Sequence, residues 1–120
     1  MPKTPVVFFA ADDGSVPMLD WLDQLQMKVR DKCIVRIERL AEYGHELRRP
    51  EADLLRDGIH ELRVRHGSVN YRILYFFHSG LAVLSHGCSK ENVVPAREID
   101  RAVAHKERFA KNPTRHTHGE

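Results

Sequence analysis

The chain has 120 residues, enough for one modest hydrophobic core and too few for two. With 42% hydrophobic and 30% charged residues, and no apolar run near the roughly 18 needed to cross a bilayer, it reads as an ordinary soluble domain with no membrane partner. A net charge of +2 does not announce a nucleic-acid binder, but residues 1–58 carry nine Lys/Arg against eleven Asp/Glu, whereas residues 59–120 carry ten against six. The second half can therefore present a local cationic field that the total conceals.

The opening stretch, MPKTPVVFFA, is too short and too soon followed by Asp12 and Asp13 for a secretory signal, so a cytoplasmic location is expected. Val6–Ala11 is an apolar run bounded by Asp12-Asp13-Gly14 and predicts a strand. Ser15 offers a helix N-cap, with Pro17 early in the helix that follows. Met18, Leu22, Leu25, Val29, Cys33, Ile37 and Leu40 then recur at helical spacing up to Gly44, a fitting stop. Such a span is long for one globular helix, so two helices folded as a hairpin are expected, with the break near Gln26–Asp31. Residues 45–57, polar around Pro50, read as a connection with at most a short helical turn.

From Leu62 the period changes to two. Leu62–Arg65, Val69–Phe77 and Leu81–His86, separated by His66-Gly67-Ser68 and His78-Ser79-Gly80, predict a three-stranded antiparallel meander. After Pro95, Ile99, Ala102, Val103 and Phe109 are spaced for a terminal helix over Ala96–Ala110. Residues 112–120 read as a frayed tail, on which His116 and His118 are solvated rather than metal-binding. Cys33 and Cys88 lack CxxC spacing and are expected to be reduced and packed. The expected architecture is α+β: one strand, a helical hairpin covering one face of a sheet, a meander and a final helix.

Between Leu55 and Ala102 the chain carries Leu55-x-Asp57-Gly58, Glu61-Leu62-Arg63, Tyr71-Arg72, His86-Gly87, Lys90, Pro95 and Glu98-Ile99-x-x-Ala102 in order. This series resembles the signature of the RelE/ParE toxin superfamily, in particular its HigB-like, phage Gp49-like branch. The resemblance implies a single RelE-like domain over residues 1–111. It implies a type II toxin that cleaves mRNA without a metal or other cofactor, often on the ribosome, and is neutralised by a small helix-turn-helix antitoxin. By position, Arg72 and Lys90 match the residues assigned to the scissile phosphate, and Arg63 matches the arginine of the Glu-Leu-Arg motif. Cys88 stands where Phe is usual and Glu91 where a second Lys is usual, and the terminal helix lacks a tyrosine that some relatives use.

Chemistry read from the residues alone runs parallel. RNA is cut without a metal when its 2′-OH is aligned on the neighbouring phosphate and the charge of the transition state is neutralised by fixed cations. Arginine suits the second task because its fork spans two phosphate oxygens and stays charged. Arg63, Arg72 and Lys90 are therefore the candidate catalytic cations, and Arg65, Tyr71 and Arg97 candidate RNA contacts. For proton transfer, His86, Glu91 and His105 are candidates. Each has a plainer reading. Arg63 can pair with Glu61 on the same strand face, His86 can be a core residue on the side of Leu84 and Cys88, and Tyr71, Tyr75, Phe76 and Phe77 can be core. Two other classes of function stay open: a ParE-like toxin that binds DNA gyrase, and a relative that binds RNA or protein without cutting.

Overall fold

The computed structural model describes residues 4–89 and 93–119. Its centre is a six-stranded mixed sheet in the order β2-β3-β4-β5-β1-β6. The strands are β1 (Val6–Phe9), β2 (Ala52–Arg56), β3 (Ile59–His66), β4 (Val69–His78), β5 (Leu81–Ser89) and β6 (Thr117–His118). The helices are α1 (Pro17–Asp23), α2 (Met27–Tyr43) and α3 (Ala96–Lys111), with a 3-10 turn at Gly44–Glu46.

The helical hairpin breaks at Gln24–Gln26, just before the expected place. What marks the break is a side chain rather than a Gly or Pro. Arg30 of α2 donates from Nε to Leu22 O (3.2 Å), which also accepts from Leu25 N (3.1 Å), and from Nη2 to Leu25 O (3.3 Å), tying the start of α2 to the end of α1. Ser15 is not the N-cap. Val16 holds that position with no side-chain bond, and the Ser15 amide instead donates to Asp13 Oδ1 at 2.9 Å.

One face of the sheet packs Leu62, Val64, Ile73, Tyr75 and Leu84 under Met18, Leu22, Val29, Cys33 and Leu40 of the hairpin. The opposite face packs Ile59, Leu74, Phe76 and Val83 under Ile99, Ala102 and Phe109 of α3. The hairpin thus covers one face, as the alternation of Leu62 and Val64 predicts. The aromatic residues Tyr75, Phe76 and Phe77 belong to these two cores.

Three expectations are corrected. Residues 52–56 form a strand, and the β2–β3 hairpin turns on Asp57 (φ +54°) and Gly58 (φ +78°), the backbone pair of a type I′ turn that Asp-Gly supplies at little cost. The last strand runs on to Ser89. The tail expected to fray is held by a two-residue strand: β6 pairs with β1 through Phe8 and Phe9. His116 there is buried, with Nδ1 2.7 Å from Ala10 O and its ring stacked on Phe9.

Gly87 shows why one glycine of the motif is needed. A Cβ at this position would overlap the Trp21 indole, which lies directly against the strand. Gly87→Ala is therefore expected to cost about 1–3 kcal/mol, read as a lower melting temperature in calorimetry. An unchanged transition would mean that Trp21 does not seat there.

Candidate functional site

Arg63 and Arg72 are directly opposite each other on β3 and β4, so their side chains leave the same face of the sheet, the one α3 covers. Two arginines so placed repel unless an acid lies between them. Glu61, two residues before Arg63 and only 1% exposed, fills that role. Arg63 Nε donates to Glu61 Oε2 at 2.9 Å and Arg72 Nη1 to Glu61 Oε1 at 2.8 Å, one guanidinium on each carboxylate oxygen. Arg63 Nη2 also reaches Asp53 Oδ2 of β2 at 3.1 Å, which Arg49 approaches at 2.9 Å. Arg49 holds the Asp53 carboxyl below the usual carboxylate range. The plainer reading of Arg63 is thus what the geometry contains, and it extends to Arg72.

Arg72 is nevertheless not fully used. Its side chain is 14% exposed, and its Nε is buried with no acceptor among the described residues. Buried donors without acceptors are rare in folded proteins, and a ligand oxygen is one way to satisfy one. Arg72 also lines a cleft of about 370 Å³ with Arg36, Arg63, Arg65, Asn70 and Tyr71. Arg65 Nε donates to Gly67 O (3.2 Å), and Arg36 stands 3.8 Å from Glu51. Four arginines line this opening, Arg63, Arg65 and Arg72 from strand positions on the α3 face and Arg36 from α2 on the hairpin face, so the cationic cleft draws on both faces of the sheet.

The other candidates are placed as follows. Tyr71 leaves the sheet on the opposite face from Arg72, edge-on to Trp21 at 6.3 Å between ring centroids, and is half-buried against the hairpin. Arg97 is exposed in the first turn of α3. Lys90 and Glu91 lie outside the described residues. Arg36 on α2 had no signal in the sequence beyond its charge. Among the described residues, no three His, Cys, Asp or Glu gather in a metal-binding arrangement.

His86 is set by a β-bulge. The β4–β5 register shifts between Leu74 and Tyr75, which face His86 and Leu84, leaving Ser85 as the extra residue. His86 therefore joins the face of Cys88, while Leu84 packs on the other face, which simple alternation does not predict. The His86 ring is 1% exposed. Its Nε2 lies 2.9 Å from Glu98 Oε1 and its Nδ1 2.8 Å from Ser85 Oγ, which is also 2.7 Å from His105 Nδ1. With both rings neutral and Glu98 ionised, one proton arrangement satisfies all of them. His86 Nε2–H donates to Glu98, Ser85 O–H donates to His86 Nδ1, and His105 Nδ1–H donates to Ser85. Neither nitrogen of His86 is then left to take a substrate proton.

Burial, reinforced by Arg101, pushes the His86 pKa below the ordinary value, and burial pushes His105, whose ring stacks on Phe9 at 4.0 Å, down to about 3. Both rings bind protons more readily in the unfolded chain, whose histidines titrate near pH 6.5, so stability falls as pH drops below that value. Between pH 7.5 and 5 at fixed ionic strength, urea unfolding is expected to show a loss of about 2–4 kcal/mol, about 2 of it from His105. His105→Phe, which removes the proton site and keeps the stack on Phe9, should flatten that slope. The carboxylates held low, Asp53 among them, act only at lower pH.

The fold and site together define the class as a small α+β domain with an arginine-lined cleft at one sheet and a core histidine network beside it. The family model of the phage-derived Gp49-like proteins (DUF891) matches residues 20–107, most of the chain, from the second half of α1 through α2 and β2 to β5 to most of α3. The chain belongs to this family, which is part of the RelE/ParE-like toxin superfamily and points to a toxin–antitoxin context. No curated protein matches it.

Proposed function

We propose that the protein is the toxin of a type II toxin–antitoxin pair, an endoribonuclease of the HigB-like kind that cleaves mRNA without a metal, in association with the ribosome, and is held inactive by a helix-turn-helix antitoxin. The observation that carries this reading is Arg72, fixed by Glu61 at the wall of an arginine-lined cleft and left with a buried Nε that has no acceptor among the described residues.

In this reading the scissile phosphate takes that donor and the exposed edge of the cleft. The 2′-OH gives its proton to water as its oxygen attacks phosphorus, the bond to the 5′-oxygen breaks and that oxygen takes a proton from water, leaving a 2′,3′-cyclic phosphate and a 5′-hydroxyl. The added charge of the transition state falls on Arg72 with Lys90 as second cation. Arg63, bonded to both Glu61 and Asp53, is chiefly a positioning residue that keeps Glu61, and through it Arg72, in place. His86 belongs to the core network, and catalysis draws on alignment and fixed charge more than on a dedicated base. Arg65 and Arg97 meet flanking phosphates.

The commitment of Arg63 to two carboxylates also favours a second reading, a relative that binds RNA or a protein without cutting. Incubating purified protein with mRNA, with and without ribosomes and in the presence of a chelator, separates the two. Defined cleavage products are expected, and intact RNA under both conditions would favour the binding reading. Lys90→Ala is expected to slow cleavage less than changes at Arg72.

A further inference from the structure

A second cavity, about 430 Å³, lies between the Gly44–Glu46 turn and strands β2 and β3, on the hairpin face of the sheet. Its walls differ from those of a packing defect. His45 is exposed and lies flat on Phe77, ring centroids 3.6 Å apart at 24°. His60 stacks on Tyr75 at 5.1 Å and meets Phe77 edge-on at 5.2 Å. Two imidazoles thus border one opening on a rigid aromatic floor. Burial and the neighbouring His45 hold the His60 pKa down against the pull of Asp53, whose carboxylate also borders the opening and is engaged by Arg49 and Arg63.

Arg48 stands at the rim and makes no ion pair among the described residues, whereas Arg49 beside it is engaged by Asp53. Leu54 lines the same opening and is 57% exposed on an edge strand, where polar residues are the rule. A cationic rim next to an exposed apolar wall, in a cavity of the size that holds small ligands, matches a molecule with a phosphate at one end and a flat apolar ring at the other. The cavity is separated from the arginine cleft by one loop, since Pro50 borders the cleft and Arg49 the cavity.

We propose that this cavity is a second nucleotide-binding site, in which Arg48, His45 and His60 take a phosphate and Leu54 a base of the RNA strand that runs on from the arginine cleft. The RNA strand rests on the function proposed above; the nucleotide site itself does not. The free protein is titrated with inorganic phosphate, AMP and UMP while the ring signals of His45 and His60 are followed by NMR, in wild type and in Arg48→Ala. Saturable shifts of both rings are expected, with AMP or UMP binding more tightly than phosphate, and Arg48→Ala weakening binding roughly tenfold through loss of one charge-assisted contact. In RNA cleavage, Arg48→Ala should raise KM by a similar factor with little change in kcat. Absence of shifts at both rings, phosphate binding as tightly as the nucleotides, or binding unaffected by Arg48→Ala would each overturn the proposal. Nucleotide shifts at His45 and His60 in a protein that leaves RNA intact would sustain the site and overturn the enzyme reading instead, whereas RNA cleavage with no nucleotide shifts would do the reverse.

Discussion

Glu61→Ala is expected to be the most destabilising single change at the cleft, lowering stability by about 3 kcal/mol and the melting temperature by about 10 °C. The reason is the double duty of one carboxylate that is only 1% exposed: each of its oxygens receives a guanidinium. Without Glu61, Arg63 keeps Asp53, but Arg72 keeps no carboxylate partner among the described residues and is still largely buried. Breaking one side of a buried pair costs far more than removing both, so Glu61→Leu combined with Arg72→Leu should recover much of the loss. Glu61→Gln, which keeps an acceptor oxygen but not the charge, should fall between. Urea or thermal unfolding of the three variants checks this. Equal stability of Glu61→Ala and wild type would show that the two arginines do not depend on Glu61.

The second large effect is on activity. If Arg72 carries transition-state charge, Arg72→Ala should slow RNA cleavage by about 10²–10³-fold, the range seen when one oriented donor is removed. Reading Arg72 as a free cation on a strand would lead one to expect unchanged folding. The ion pair with Glu61 alters that expectation: the alanine variant leaves a buried carboxylate with one partner instead of two and should also melt earlier. Arg72→Lys separates the effects, because lysine keeps the charge and one bond to Glu61 but loses the fork. It should fold nearly as well as wild type and cleave at least about tenfold more slowly.

Much of this architecture is legible in the residues, and the failures have identifiable physical causes. The meander and the terminal helix follow from clean periods of two and 3.6. Strand β2 was hidden because its own residues, Ala52–Arg56, mix charge and apolar side chains as an edge strand does, with Leu54 facing solvent. The signal that would have found it is Asp57-Gly58, a two-residue hairpin turn pair directly before the strand that starts at Ile59. The tail misled because His, Thr and Arg suggest solvent, whereas His116 is held by a backbone carbonyl and the Phe9 ring, partners from the far end of the chain. Ser85 broke the alternation on which the side assigned to His86 rested, and a bulge leaves no mark in a single sequence. At the cleft, Arg63 and Arg72 were visible as arginines out of place in strands. That one carboxylate bridges both depends on the β3–β4 register, which places residue 63 opposite residue 72. Arg36 enters the cleft from α2 through tertiary packing alone.

The central claim is that Arg72, braced by Glu61, acts on an RNA phosphate. Its most direct test is the single-turnover cleavage rate of a defined mRNA, with chelator and ribosomes present, for wild type and Arg72→Lys, with the melting temperature of each protein measured alongside. The account predicts cleavage by wild type and a rate at least about tenfold lower for Arg72→Lys at nearly equal melting temperature. Equal rates in the two proteins, or a loss of rate matched by unfolding of the variant, would contradict it.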